Sequence, residues 1–186
     1  MNQLKIVILT FVLFFFSTIL LAQNKWSAEF RPNLNFTTQN LNETNLKTGF
    51  GFEITIAYKL KNKLFSYAGL GYNIFEAKDT NIVYNSKNFT FGLQFISPIN
   101  KDSKLSYLVK IGGIYNFLQI KDSKNNTIYN TDYKLGFELG IGINYYIIEN
   151  WSLRPQISFR TVTIDLPETN DKLNYLGFSL GISKTF

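Results

Sequence analysis

From Trp26 onward, apolar and polar residues alternate with a period of two over unusually long segments. In the clearest of these, one face carries Phe50, Phe52, Ile54, Ile56, Tyr58 and Leu60, and the other carries Gly49, Gly51, Glu53, Thr55, Ala57 and Lys59. This alternation places successive side chains on opposite faces of a β-strand. Soluble strands average about five or six residues, whereas membrane-spanning strands need about nine to eleven. The pattern therefore predicts strands that can cross a membrane.

The mature chain contains about eight such segments, an even number that is typical of small membrane barrels. The connections between them alternate in length: residues 61–63, 98–104 and 148–150 are short, and residues 37–47, 76–87, 121–131 and 165–172 are longer and polar. Short periplasmic turns and longer outer loops are the expected asymmetry. The chain is therefore predicted to be all-β, a closed antiparallel up-and-down transmembrane β-barrel. Pro155 interrupts the seventh segment, and we expect a β-bulge there.

The first 22 residues differ from the rest of the chain. A polar start with one charge, Lys5, precedes an apolar run from Ile6 to Leu21, and Ala22 follows. This layout predicts a secretory signal peptide over residues 1–22, cleaved after Ala22, and a barrel domain over residues 23–186. An uncleaved membrane anchor is the alternative, because the run is close to the minimum spanning length. The chain has no cysteine, which excludes a lipoprotein anchor and a disulfide framework.

Composition agrees with a barrel. Aromatic residues make up 17% of the chain, and charged residues also make up only 17%, below the usual quarter. Mean hydropathy is −0.04, which suits neither a helical membrane protein nor a disordered chain. The formal net charge of +6 is scattered along the sequence, so no basic stripe for nucleic-acid binding is predicted.

The chain ends in Phe-Ser-Leu-Gly-Ile-Ser-Lys-Thr-Phe, from Phe178 to Phe186. With its architecture, this ending resembles the small outer-membrane β-barrel families of Gram-negative bacteria, of the OmpX and opacity-protein kind, over nearly the whole mature chain. The resemblance implies a bacterial outer-membrane location, contact with outer-membrane lipid, and recognition by the barrel assembly machinery during insertion. The residues it assigns to that assembly signal are Phe178, Leu180, Ile182 and Phe186. Lys184 departs from the strictly apolar form of the signal.

The polar face of the predicted strands carries many charges. Its charged residues are Glu29, Arg31, Glu53, Lys110, Lys134, Glu138, Arg154 and Arg160. A barrel of about eight strands has room inside only for its own side chains, and buried charges require partners. We therefore predict an ion-pair network in the lumen, in which Glu53 and Glu138 meet Arg154, Arg160 or Lys110. Inward glycines would make room for these side chains, namely Gly51, Gly71, Gly112, Gly140 and Gly181.

The sequence contains no histidine, which removes the commonest general base and the commonest metal ligand. No catalytic motif is present, and the acidic residues of the predicted loops lack calcium-loop spacing. We therefore expect no enzymatic activity, no cofactor and no metal site.

Three functions fit this sequence. The first is a non-enzymatic barrel with a side-chain-filled lumen, acting through its outer loops in adhesion, envelope integrity or recognition of a partner that the sequence does not identify. The second is a narrow pore or a channel for small apolar molecules, with Phe75, Ile114 and Leu118 near its outer mouth. The third is a soluble periplasmic lipocalin-like barrel, which would place its apolar face inside.

Overall fold

The computed structural model describes residues 25–41, 44–100, 103–166 and 169–186. These residues form nine β-strands: β1 (Trp26–Thr37), β2 (Gly49–Lys61), β3 (Leu64–Glu76), β4 (Val83–Pro98), β5 (Leu105–Lys121), β6 (Thr127–Asn130), β7 (Lys134–Ile148), β8 (Trp151–Leu166) and β9 (Thr169–Thr185). Within them there is no helix long and apolar enough to cross a membrane. The predicted signal peptide lies outside the described residues and stays a prediction.

The long strands form a closed antiparallel barrel. Each pairs with its neighbour along the chain, β4 also pairs with β5, and β1 pairs with β9 to close the cylinder. The closing seam runs from Ser27 opposite Thr185 to Thr37 opposite Tyr175. β6 is a short extra strand that adds to the end of β5. The predicted fold, a closed up-and-down barrel of eight long strands, is confirmed.

One end of the barrel carries the short turns. The β2–β3, β4–β5 and β7–β8 connections lie there with both ends of the sheet, and backbone hydrogen bonds join them. Phe186 N–H donates to Trp26 O at 2.8 Å, and Thr185 N–H donates to Asn150 O at 2.8 Å. Because short turns face the periplasm in this architecture, we name this the periplasmic end and the opposite one the outer end.

At the outer end the strands are longer than predicted. Much of residues 76–87 and 165–172, expected as loops, is strand, and Asp165 pairs with Asn170 across β8 and β9. The physical reason is that apolar and polar residues still alternate there, but the apolar residues now point into the barrel instead of away from it. Val162 and Ile164 point inward and are buried, while the polar neighbours that gave the segment a loop-like composition point outward.

The expected bulge at Pro155 is absent. Gly142 pairs with Gln156 and Tyr145 with Leu153, so the β7–β8 register is the same on both sides of the proline. Pro155 stays in register with Leu180 of β9. A proline has no N–H group to donate to the ladder. The β7–β8 ladder accordingly lacks residue pairs beside Pro155, but β8 contains no extra residue there, so no bulge forms.

Aromatic rings form a collar at each end of the lipid-facing wall. At the periplasmic end, the rings of Trp26 and Tyr58 are 4.8 Å apart. At the outer end, Tyr133 stacks on Tyr115 at 5.0 Å and contacts Phe117 at 5.2 Å. Between the collars the outward side chains are apolar and exposed, as expected for a surface that faces lipid.

Candidate functional site: the ion-pair network of the lumen

The centre of the barrel holds seven charged side chains, none more than 5% exposed. They are Glu29 and Arg31 of β1, Glu53 of β2, Lys110 of β5, Glu138 of β7, and Arg154 and Arg160 of β8. All come from the polar face of the alternating pattern, so the same alternation that coats the outside with apolar residues fills the inside with charge.

Glu53 is the most highly connected member of this network. Its Oε1 lies 2.5 Å from Arg31 Nη2 and 3.1 Å from Lys110 Nζ, and its Oε2 lies 2.5 Å from Arg160 Nη2. The Thr55 hydroxyl donates a further hydrogen bond to Oε1 at 3.1 Å. Three cations from three strands therefore converge on one buried carboxylate, which ties β1, β5 and β8 to β2.

Glu138 shares two of these cations. Lys110 Nζ lies 2.6 Å from its Oε1, and Arg160 pairs with its Oε2. The Tyr67 hydroxyl donates to Oε1 at 3.3 Å, and Lys110 Nζ sits 4.2 Å from the centre of the Tyr67 ring. Glu53 and Glu138 thus meet Lys110 and Arg160.

Arg154 takes a different partner from the one expected. Its Nη1 lies 2.8 Å from Glu29 Oε2, and its Nε donates to Asn144 Oδ1 at 2.7 Å. Glu29 also lies 3.7 Å from Arg31 and accepts a hydrogen bond from Gln156 Nε2 at 3.0 Å. Of the three cations predicted as alternative partners of Glu53 and Glu138, Lys110 and Arg160 pair with them, and Arg154 pairs with Glu29 instead.

Lys134 does not belong to the network. It lies at the outer end of β7, about one-third exposed, and pairs with Asp165 at 3.0 Å. Parity along the strand placed it on the inward face, but its position at the first residue of β7 lets the side chain reach the rim. The prediction that Lys134 belongs to the lumen network is therefore wrong.

Two inward glycines sit where the network needs space. A Cβ on Gly181 would clash with the Glu29 carboxylate, and a Cβ on Gly112 would clash with the Tyr67 hydroxyl. Gly51 and Gly71 instead face the amides of Asn73 and Asn88, and Gly140 has a looser contact with Lys110.

The network carries an excess of one positive charge among the described buried residues, with three carboxylates against four cations. Its carboxylates are all engaged by cations, so the arrangement offers no free base for proton transfer. Several polar atoms nearby have no protein partner, among them Arg160 Nε, Asn73 Nδ2 and both amide atoms of Asn88. No group of residues placed to hold a metal ion occurs in the described part of the chain.

Above the network, an apolar plug fills the outer end of the lumen. Its buried members are Leu41, Leu46, Phe75, Ala77, Tyr84, Leu118, Ile164, Leu173 and Tyr175. Leu41 and Leu46 come from the β1–β2 connection, where Leu46 bridges to Ala77 of the β3–β4 connection. Apart from Phe75 and Leu118, these plug residues are not among those predicted from the sequence, although Ile164, Leu173 and Tyr175 alternate with polar residues.

Comparison with known proteins identifies the architecture. A model of the outer membrane protein beta-barrel domain family matches residues 8–186. The chain belongs to this family. The family places the chain in the bacterial outer membrane, so the soluble periplasmic alternative is wrong, in agreement with the charged lumen. No curated protein matches the sequence.

Solved structures of similar fold are small outer-membrane barrels. Neisserial surface protein A (NspA) aligns with a TM-score of 0.65 at 13% identity, covering 87% of this chain and 97% of NspA. OprG of Pseudomonas aeruginosa aligns with a TM-score of 0.57 at 11% identity, covering 88% and 96%. Ail, the attachment invasion locus protein of Yersinia pestis, aligns with a TM-score of 0.53 at 12% identity, covering 87% and 97%. At such identities the similarity shows the fold alone.

Proposed function

We propose that this protein is a closed, non-enzymatic outer-membrane barrel that acts through its outer surface, in adhesion, envelope integrity or recognition of a partner. The observation that carries the proposal is the double obstruction of the lumen. The ion-pair network crosses the barrel at its centre, and the apolar plug fills it at the outer end. A barrel of this size has little interior space beyond its own side chains, so the surface left for function lies outside.

The parts that extend beyond the outer collar offer that surface. The β5–β6 hairpin turns through residues 122–126, and Asp122 accepts hydrogen bonds there from the backbone N–H groups of Lys124 and Asn126 at 2.9 and 2.8 Å. Among the proteins of similar fold, NspA is named a surface protein and Ail an attachment protein. A role at the cell surface agrees with these names and with the filled lumen.

Conductance in planar bilayers tests the closed lumen. We expect the wild-type barrel to be silent, and Arg160→Ala to be silent as well, because the plug remains in place. Each preparation is first shown to be folded by its faster migration on gels before boiling. Stepwise currents from the folded wild type would overturn the proposal.

A narrow pore is the second candidate, and the unpartnered amides of Asn73 and Asn88 favour it, because such groups could be solvated by a file of water. The excess positive charge of the network would make this pore select for anions. Anion-selective currents in the wild type would support this candidate over the closed barrel, and Arg160→Ala should then carry larger currents with less anion selectivity, because its network has no excess positive charge.

The surface role is tested by replacing the β5–β6 turn, residues 122–126, with a short Gly-Ser turn. We expect cells that display this variant to lose adhesion or partner binding. The matched control replaces the periplasmic turn at Asn62 and Lys63, which faces away from the cell surface. Equal activity of both variants and the wild type would place function outside this hairpin.

A further inference from the structure

The two ends of the barrel differ sharply in charge. In the part of the chain that the structure describes, the periplasmic end carries six lysines, which we call the basic rim: Lys25, Lys59, Lys61, Lys63, Lys104 and Lys184. Five of them are exposed and Lys59 is half-buried. Among the described residues, Glu149 is the acidic side chain at this end, and no ion pair joins it or any other described acid to the rim.

The outer end is nearly neutral by comparison. Its described charges are seven lysines, Lys47, Lys78, Lys87, Lys121, Lys124, Lys134 and Lys172, and six acids, Glu76, Asp79, Asp122, Asp132, Asp165 and Asp171. Some of these charges neutralise each other directly, as Lys47 and Glu76 do at 3.0 Å. The positive charge of the surface is therefore concentrated at the end where the short turns lie.

The basic rim lies at the level of the periplasmic aromatic collar. Lys184 points outward on β9, and its Nζ lies 5.4 Å from the centre of the Trp151 ring and 5.3 Å from that of Phe186. Aromatic collars mark the boundary between hydrocarbon and headgroups, and lysine side chains near such a boundary extend toward the headgroups. The rim lysines are thus positioned at the depth of lipid phosphates.

We propose that the basic rim binds anionic phospholipid headgroups of the periplasmic leaflet. A lysine close to an anionic membrane surface strengthens association by about fivefold, and the rim lysines, which lie at β1, β2, β9 and the β2–β3 and β4–β5 turns, act together on the lipids beside that part of the wall. The outer end lacks this excess, so the preference would belong to one leaflet. This inference concerns the end opposite to the surface proposed for function, and it holds whether or not that proposal is correct.

The chain provides a local probe for this contact. It has two tryptophans, Trp26 and Trp151, and both lie at the periplasmic end. Quenching of their fluorescence by brominated phosphatidylglycerol or brominated phosphatidylcholine in mixed vesicles measures which lipid sits beside the rim. We expect a several-fold preference for phosphatidylglycerol that declines toward none in about 0.5 M NaCl, because salt screens exposed charges.

Matched variants assign the preference to the rim. Lys61→Gln/Lys63→Gln/Lys104→Gln removes three rim charges without touching the tryptophan environment, and Lys78→Gln/Lys121→Gln/Lys124→Gln removes three charges at the outer end. We expect the first to lose most of the preference and the second to keep it. The salt titration of the wild type tests the same point without any substitution.

Two results would overturn the proposal: no preference for phosphatidylglycerol in the wild type, or a preference that the rim variant retains in full. Sedimentation with purified cell-wall sacculi tests whether the rim binds the cell wall, the other anionic partner in the periplasm, instead of lipid. Binding of the wild type to sacculi without any lipid preference would assign the rim to the cell wall and would exclude the lipid assignment.

Discussion

The membrane-spanning zone of the barrel and its outer extension are built from the same strands with opposite polarity. Along β8, Arg154 and Arg160 face inward in the first zone, and Val162 and Ile164 face inward in the second. The outward face changes in the opposite direction, from Phe159 to Asp165. The medium around the wall therefore determines what fills the inside. Each alternating strand has one apolar face, which points outward where lipid surrounds the wall and inward where water surrounds it.

Between the two zones lies a layer of buried amides and hydroxyls. Asn35 donates to Asn73 Oδ1 at 2.9 Å, and the Ser86 hydroxyl donates to Asn116 Oδ1 at 2.5 Å. This layer is at the level of the outer aromatic collar near Tyr115. The change from charged to apolar interior thus coincides with the point at which the wall leaves the lipid.

The largest expected effect concerns charge in the membrane-spanning zone. Glu53→Gln removes the carboxylate shared by three buried cations, and we expect it to lower the free energy of unfolding by about 3–5 kcal/mol. The matched control, Glu76→Gln, breaks the exposed pair with Lys47 and should change it by less than about 0.5 kcal/mol. Urea unfolding in lipid vesicles, followed by gel mobility, measures both. Similar values for the two variants would contradict the distinction between the zones.

The next effect concerns apolar packing in the outer extension. Leu118 is fully buried in the plug, and Leu118→Ala should lower the free energy of unfolding by about 3 kcal/mol through lost burial and a cavity. The same unfolding assay measures it. A change below about 1 kcal/mol would show that the plug is loosely packed and would favour an open outer mouth.

A third substitution compares the two outer faces. Ile141 and Ile128 are both 57% exposed, but Ile141 lies between the collars and Ile128 lies on β6 beyond them. Ile141→Lys should lower stability in vesicles by about 2–3 kcal/mol, because it places a charge in lipid. Ile128→Lys should stay within about 0.5 kcal/mol, as a surface substitution in water does. Equal effects would mean that β6 is also surrounded by lipid.

The smallest effect concerns pH at the outer hairpin. The backbone N–H of Asn126, with further hydrogen bonds from the Asn126 side chain and the Lys124 backbone, lowers the pKa of Asp122. A carboxyl whose pKa is lower in the folded state stabilises that state above its unfolded pKa, and the contribution disappears as pH falls through the folded pKa. We expect the amides of residues 122–126 to lose protection on acidification below the unfolded pKa, measured as their exchange rate relative to that of an unstructured peptide at the same pH. Asp122→Asn should abolish that pH dependence, and an unchanged profile in this variant would assign it to another group.

The barrel itself could be predicted because its signal is local. Alternation assigns Glu53 or Phe52 to a face from the sequence alone, and the length of each segment distinguishes membrane strands from soluble ones. The outer extension could not be predicted in the same way because its outward face is polar. Thr163, Asp165 and Lys172 have the composition of a loop, and only pairing across β8 and β9 reveals them as strand.

The partners within the lumen could not be predicted from alternation. An odd or even position along a strand gives the face on which a side chain lies. It does not give the level of that side chain along the barrel axis, because the strands of a barrel are staggered against each other. Arg154 lies opposite Gly181 in the β8–β9 ladder, and the Glu29 carboxylate occupies the space beside that glycine. The pairing of Arg154 with Glu29 depends on this stagger, which involves strands more than 120 residues apart in the chain.

The seam between β1 and β9 has a consequence for how the barrel folds. Its pairs join Ser27 to Thr185 and Leu34 to Phe178, contacts between the first and last strands of the sheet. Such a high contact order makes folding slow, and until the seam closes both edge strands present unpaired backbone groups that invite aggregation. The chain is therefore exposed to aggregation until the seam closes, and the barrel can be completed only after the last strand has formed.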